Sequence, residues 1–235
     1  MRRKQILTWL LLTVALCSSP AGAEEEDTAL DSANRASRRF NFWLLDHVFL
    51  PVARGYNFAV PKWGQARVRN LLENLDRPRD VANSLFQAKF RRAGSHLLQF
   101  GINTTVGLLG LFNPAESWFE LASPETGNET LGLYGLPSGA FLILPVYGET
   151  CPRCLVGAAA DAVLHPLFWI PGSEGTALQI GSKLLGNINL LARQMPTPFA
   201  DDAEWEAFEA RFHESHTYEE TKQLFFENLR WDVEE

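Results

Sequence analysis

Cys151 and Cys154 frame a Pro-Arg pair in the stretch YGETCPRC (147 to 154), the spacing with the most obvious chemical potential in the chain. A C-x-x-C pair exchanges disulfides when its first cysteine sits at a helix N-terminus, where the dipole lowers the thiol pKa, and when a βαβ scaffold presents it. A helix can begin near Pro152 and run through Leu155, Val156 and Val163, so the first condition is met. No strand pattern surrounds the pair, so the second is not. Cys17 is the only other cysteine, and once it is removed or acylated the mature chain keeps Cys151 and Cys154 alone. In an oxidising compartment they can pair, closing a loop too short to gain much entropy. The pair therefore reads as a structural disulfide or as core thiols, with a periplasmic thiol-disulfide oxidoreductase as the competing reading.

The remaining chemical motifs fall short of their patterns. His213-Glu-Ser-His216 lacks one residue of the H-E-x-x-H zinc helix, which changes both the bite of the imidazoles and the position of the glutamate. His47, His96 and His165 lie far apart without carboxylate or cysteine spacing, as packed or surface histidines do. There is no G-x-S-x-G elbow, and Gly101, Gly107 and Gly110 do not follow a strand as a phosphate loop requires. A protein that is not an enzyme, with no metal and no cofactor, is the expectation.

The elements that position these residues start after an export signal. Arg2, Arg3 and Lys4 precede an uncharged, mostly apolar run from Gln5 to Cys17, much shorter than the ~20 residues of a spanning helix. Ala21-Gly22-Ala23 suits signal peptidase, giving a signal peptide over 1–23 and a mature start at Glu24, followed by an acidic linker over 24–30. Cleavage before Cys17, with lipidation of that cysteine, is the alternative, although Leu16 fits a lipoprotein signal poorly. Residues 35 to 92 hold twelve Arg or Lys against four acids, a net of +8, whereas residues 93 to 235 hold six against nineteen, a net of -13. In an exported protein the basic part suits anionic head groups or an acidic partner, as well as an ordinary solvated face, and no nucleic-acid partner is expected.

Hydrophobic periodicity predicts a mainly α protein. A first helix over 31–50 carries Phe40, Phe42, Trp43, Leu44, Val48 and Phe49, and its second half is apolar almost all round, so it must be buried or meet lipid. A second helix opens at Pro61 and buries Val68, Leu71, Leu72 and Leu75; a third opens near Pro78, buries Val81, Leu85 and Phe86, and continues toward His96, Leu97 and Phe100. Ala93 to Ala115 is free of charge but rich in Gly and Thr, which predicts a buried helix and a tight Gly-rich connection rather than a membrane span. Turns around a short apolar segment, packed in the core or dipping into a bilayer interface, are expected over 131–148, helices over 155–169 and 174–194 with Ser173 as N-cap, and an acidic amphipathic helical tail over 195–235.

Several of these segments match one family in order. Asn34-Arg35, FNFWLLD (40 to 46), PVARGY (51 to 56), NLDRPRDVANSLFQAKFRRAG (74 to 94), QFGINTTVGLLGLFNPA (99 to 115) and GNETLGLYGLPSGAFLILPVYG (127 to 148) together resemble the MlaA (VacJ-like) outer-membrane lipoprotein family. Gly139-Ala140-Phe141 stands where that family has Gly-Pro-Tyr, and Glu149 to Cys154 stands where it has Pro-Ser-x-x-Arg-Asp. The resemblance implies a single helical, ring-like domain over 31–194 in the inner leaflet of the outer membrane. It implies passage of mislocalised phospholipid through an amphipathic channel to a soluble periplasmic carrier, beside a trimeric porin and without covalent chemistry. Phe40, Asn41, Phe42, Trp43, Gly132, Gly135, Gly139 and Phe141 are the candidate lipid-contact or channel residues, although interior packing or left-handed turn geometry would account for the same side chains. A structural envelope protein that binds a porin and moves no lipid is a further alternative.

Mass spectrometry of the mature N-terminus tests the processing. The expected species begins at Glu24; a diacylated Cys17 would instead make the protein a lipoprotein.

Overall fold

The computed structural model describes residues 29–119, 122–213 and 217–234, so the expected signal peptide, Cys17 and the stretch 24–28 lie outside the described residues. Helix α1 (Ala29–Leu44), a π-helical turn (Leu45–Phe49) and α2 (Leu50–Ala59) form one uninterrupted helical run. Pro51 falls in the first turn of α2, where a missing N–H costs little. Then follow α3 (Lys62–Phe86), α4 (Phe90–Thr105), α5 (Pro114–Trp118) and α6 (Gly127–Leu133). A short antiparallel hairpin, β1 (Leu142–Leu144) with β2 (Gly148–Thr150), leads to α7 (Pro152–Leu164), a 3-10 turn (Pro166–Trp169) and α8 (Glu174–Gln194). Helices α9 (Asp202–His213) and α10 (Tyr218–Glu234) complete the described chain, which is mainly helical as expected.

Two expectations fail on α3. Pro78 does not start a new helix; it lies inside a continuous 25-residue one. The break comes instead at Gln87 to Lys89, where Ala88 adopts a left-handed φ of 57°. Lys89 N–H donates to the Ser84 carbonyl and Ala88 N–H to that of Leu85, the paired bonds of a Schellman cap, which close α3 without a glycine. The buried face was also expected to be apolar. The residues buried are Gln65, Asn70, Asn74, Arg77, Asp80, Asn83 and Ser84, while Leu85 and Phe86 are exposed and Val68, Leu71, Leu72, Leu75 and Val81 are only half-buried.

The described residues gather into two compact units. In the one containing Leu45–Pro124 and the chain from Ala162 through α9, the apolar core joins Leu50 and Ala53 of α2, Leu191 and Ala192 of α8, Met195 and Phe208, with Trp205 packed against it. Lys62 closes the end of α8 by donating to the carbonyls of Ala192 (2.8 Å) and Met195 (2.9 Å), which are otherwise orphaned at a helix C-terminus. In the same unit α3 lies along α4, and the connection after α4 folds back on it. Gly110, at φ 93°, rests on the Asn74 side chain, and an added Cβ would come within 2.5 Å of it. The tight Gly-rich connection expected after a buried helix is thus present.

The other unit holds α1, α6, the hairpin, α7 as far as Asp161, and α10. Two asparagines of α1, seven residues apart and hence on one face, grip the hairpin. Asn34 donates to the Phe141 carbonyl and accepts from the Ile143 N–H; Asn41 donates to the Leu144 carbonyl and accepts from the Val146 N–H. Their amides substitute for a third strand. Beneath the hairpin Phe141 and Ile143 pack with Tyr218, Phe225 and Phe226 of α10, so the short apolar segment expected between turns packs in a core and supplies one strand of a pair. Residues of the expected acidic tail therefore build cores: Trp205 and Phe208 in the first unit, Tyr218 and Phe225 in this one.

Helix α6 approaches α7 at backbone distance through Gly127 and Gly157, where a Cβ on Gly157 would lie 2.4 Å from the Asn128 nitrogen. Gly157→Ala is expected to cost more than about 2 kcal/mol, since backbone on both sides must shift. Gly101→Ala in α4, whose Cβ meets open space, should be neutral or stabilising by up to ~1 kcal/mol. Denaturant titration of both variants in one detergent measures the contrast; equal effects would refute the close approach.

Candidate functional site

Along α3 and α4 the distribution of side chains is inverted relative to a water-soluble bundle. Among the described residues the largest side chains sealed from solvent are His96, Gln65, Gln99, Glu125 and Asn83, all polar. Apolar side chains take the outside. On α4 the inward positions are Ala93, His96, Gln99 and Asn103, while Phe90, Leu97 and Leu98 face outward at 71%, 59% and 58% exposure. On α8 Gln179 and Asn189 are buried and Leu178, Ile180 and Leu190 are exposed. Trp63 and Trp169 are each about 70% exposed, and Phe199 is 90% exposed. Exposed apolar area of this extent marks a surface that meets lipid or a partner.

The candidates read from the sequence divide by position. Phe40, Phe42 and Trp43 are exposed at 40% to 52%, with the Phe40 and Trp43 rings stacked at 6.1 Å and the Arg38 guanidinium 5.3 Å over Phe42. Asn41, between them, points to the hairpin and clamps it. Phe141 is 3% exposed inside the aromatic cluster, so packing claims it and it offers no lipid contact. Gly135 and Gly139 adopt left-handed φ of 81° and 78°, and Gly135 closes α6 with a Schellman cap, its N–H donating to Gly132 while Leu136 N–H donates to Leu131. Gly132 is an ordinary helical residue of α6.

Other apolar elements went unremarked in the sequence. Past α4, Leu108 and Leu109 adopt φ of 52° and 60° and stand 60% and 69% exposed. A left-handed backbone costs a leucine ~1–3 kcal/mol, and here it is held by bonds from Leu109 N–H to the Thr104 carbonyl and from Gly110 N–H to that of Asn103. Arg67 lies 4.3 Å over Phe112 at the same connection, and Arg54 lies 5.5 Å over Trp205. Guanidinium-aromatic pairs suit a boundary between apolar and polar media.

Below α5 a cleft of about 300 Å³ opens along one face of α3, lined by Arg69, Glu73, Asp76, Arg77, Arg79 and Asp80, with Asn113 and Glu116 of α5, Ala122 and Pro124. Its floor is the ion pair Arg77–Asp80 (3.2 Å), joined by Arg79 to Asp80 at 2.8 Å. Burial pushes the Asp80 carboxyl up to about 6, and the two guanidiniums oppose that rise. His165 Nε2 lies 3.5 Å from Asp76, while burial, with Arg79 and Lys183, pushes its pKa down against the pull of Asp76. Its Nδ1 accepts from the Leu167 N–H and caps the 3-10 turn, a packed histidine as expected.

At the other motif Cys151 and Cys154 are joined, with Cα atoms 4.9 Å apart. Cys151 precedes the first residue of α7 and is completely buried, so its sulfur is shielded from a substrate thiol, and the only sheet among the described residues has two antiparallel strands. Neither feature suits thiol exchange. The residue between the cysteines explains the staple better. Arg153 is buried, donates to the Asn128 side chain (3.0 Å) and the Leu136 carbonyl (2.9 Å), and its N–H reaches the Ser138 carbonyl. The disulfide holds the arginine that satisfies the Gly-rich turn after α6.

Comparison with known proteins gives these features a family. The profile of the MlaA lipoprotein family matches residues 26–211. This chain belongs to the MlaA family. The intermembrane phospholipid transport system lipoprotein MlaA of Haemophilus influenzae is 34% identical over 215 residues, covering 85% of this chain and 86% of that protein. The protein of the same name from Escherichia coli K12 is 29% identical over 198 residues, 80% of this chain and 78% of its own. A chain solved in work on the structural basis for maintenance of bacterial outer membrane lipid asymmetry superposes with a TM-score of 0.70 over 89% of this chain and all of its own, at 22% identity, and so shares the fold. The MlaA asparagine Asn34 and the glycine-rich stretch 127–148, which carried the resemblance, are thus respectively the hairpin clamp and the segment it grips.

That stretch also carries a titrating group. Glu129 completes a capping box with Thr126 at the start of α6, and burial, with Glu125 adding repulsion, pushes its carboxyl up to about 7 against the Thr126 hydrogen bonds. A carboxyl raised in the folded state binds its proton more tightly than when unfolded, so its stabilisation is complete below about 4.5 and is lost as pH rises to about 7. Glu129→Gln keeps the cap, since glutamine serves equally at that position. The midpoint of unfolding should fall by several degrees less between pH 4.5 and 7.5 in E129Q than in the parent; identical pH profiles would show that Glu129 does not titrate in this range.

Proposed function

We propose that this chain carries phospholipid between the outer membrane and the periplasm, lying at the periplasmic face of the membrane with its exposed apolar side chains among acyl chains. Mislocalised lipid passes from it to a soluble periplasmic carrier while the chain rests beside a trimeric porin, and no bond is made or broken. The observation that carries this reading is the inverted distribution: polar groups sealed inside, with Phe90, Leu97, Trp63, Leu108 and Leu109 outside. No helix among the described residues is long and apolar enough to cross a membrane, so these side chains suit the acyl region of one leaflet. Phe40, Phe42 and Trp43 form part of that contact, the neighbouring Arg38 meets head groups, and Gly135 and Gly139 set the turn that shapes the lipid path. The relatives in Haemophilus influenzae and Escherichia coli, named for intermembrane phospholipid transport, support the same activity.

Deleting the gene should expose phospholipid on the cell surface and sensitise cells to detergent, and expression of the Cys151→Ser/Cys154→Ser double variant should restore both. Unchanged surface lipid after deletion sinks the transport reading. Failure of a stably expressed double variant, together with a measurable dithiol potential in the parent, would revive redox chemistry.

A further inference from the structure

We propose that the charged cleft on α3 is a head-group site selective for a zwitterionic, amine-bearing glycerophospholipid, with Arg69 facing its phosphate and Glu73 and Glu116 its ammonium. This assignment rests on the phospholipid-transport reading and narrows it to a lipid class. Size is the first argument. A cleft of about 300 Å³ holds a head group and leaves the acyl chains outside. Charge is the second. Three guanidiniums alternate with four carboxylates around the cleft, so a ligand bearing only negative charge meets carboxylates wherever it approaches an arginine, whereas one bearing both signs can satisfy both. Arg69, Glu73, Asp76, Arg77 and Asp80 recur at helical spacing, which brings both signs to one face of α3.

The groups also divide into a fixed floor and an adaptable rim. Arg77 and Asp80 are almost fully buried and matched to each other. Arg69 and Glu73, by contrast, are 33% and 44% exposed and stand 3.7 Å apart, beyond close hydrogen-bond range; Arg69 donates to the neutral Asn70 amide (3.1 Å) rather than to a carboxylate, and Glu116 is exposed and accepts from Asn113. A rim of this kind can exchange partners with a ligand. The surroundings supply the third argument. Asn113 and Glu116 are flanked in the chain by Phe112, Trp118 and Phe119, which are 45% to 57% exposed, so the polar cleft opens beside apolar surface suited to acyl chains. A free phosphate or soluble amine has no use for that border.

The test uses the full mature chain in detergent, with binding of dioctanoyl phosphatidylethanolamine, dioctanoyl phosphatidylglycerol and glycerophosphoethanolamine followed by native mass spectrometry. The parent should bind the ethanolamine lipid about tenfold more tightly than the glycerol lipid, the scale of one charge-assisted contact. The E73Q/E116Q variant should lose that preference without losing the glycerol lipid, and R69Q should weaken both lipids about equally. Glu116 is exposed and Arg69 and Glu73 are partly exposed, and circular dichroism of each variant checks that the fold is kept. Equal binding of the two lipids by the parent, or a preference that survives E73Q/E116Q, overturns the assignment. So does glycerophosphoethanolamine binding as tightly as the diacyl lipid, which would make the site one for a soluble ester. If the parent binds neither lipid, the transport reading itself fails; if it binds both without preference, only the head-group assignment does.

Discussion

Between α3 and α4 the groups sealed from water are amides, a guanidinium, a carboxylate and an imidazole, and a buried polar group without a partner costs ~1–3 kcal/mol. The packing of this unit is organised around satisfying them. Asn74 donates to Thr104, Asn103 donates to Asn113 and accepts from the Ala115 N–H, and Arg77 and Arg79 share Asp80. These bonds fix the connection after α4, and through it the outward stance of Leu108 and Leu109. Inward polarity is what releases the apolar residues of the same helices to face outward.

A similar division of labour holds in the unit built on α1. Asn34 and Asn41 spend their amides on the hairpin backbone, a task that in a larger sheet falls to another strand. The alternate residues of that segment of α1 are then free to present Phe40, Phe42 and Trp43. Tyr218 ties α10 to the same point, donating its hydroxyl to Asp31 and accepting from Asn34, and burial together with the Asp31 bond pushes its pKa up to about 12. It keeps its proton throughout the physiological range, so this contact is a fixed joint.

Element types were legible in the sequence because helical period survives whichever face is buried. The near-absence of strands, the Gly-rich connection after α4 and the helix starting at Pro152 all follow from local signals. What failed was the choice of face. Val68, Leu71 and Leu75 were read as core because apolar residues usually are, yet Asn70, Asn74, Arg77 and Ser84 recur at spacings of three to seven and share a face too. An Asn- and Gln-rich stripe at helical period was the available signal. Pro78 was misread because a proline costs a helix one bond and a local clash, which tertiary packing along α3 outweighs. The charged cleft was less accessible still: its α3 residues are periodic, but Asn113 and Glu116 join them only through the folded connection. Ser173 shows the limit of cap reasoning, since it occupies the N-cap position of α8 without making the capping bond.

The outward-facing apolar residues also govern the thermodynamics of the chain. The heat-capacity change of unfolding and the slope of denaturant titrations both grow with the apolar area that unfolding newly wets. Phe90, Leu97, Leu98, Trp63, Trp169 and Phe199 are wet already when the folded chain stands in water, and the groups that unfolding uncovers between α3 and α4 are largely polar, which lowers the heat capacity. In water the stability curve is therefore shallower than the ~12–15 cal/mol/K per residue of ordinary domains would draw it. Covering those side chains with acyl chains restores the missing curvature, so the surrounding medium sets the temperature response of the fold as much as its own core does.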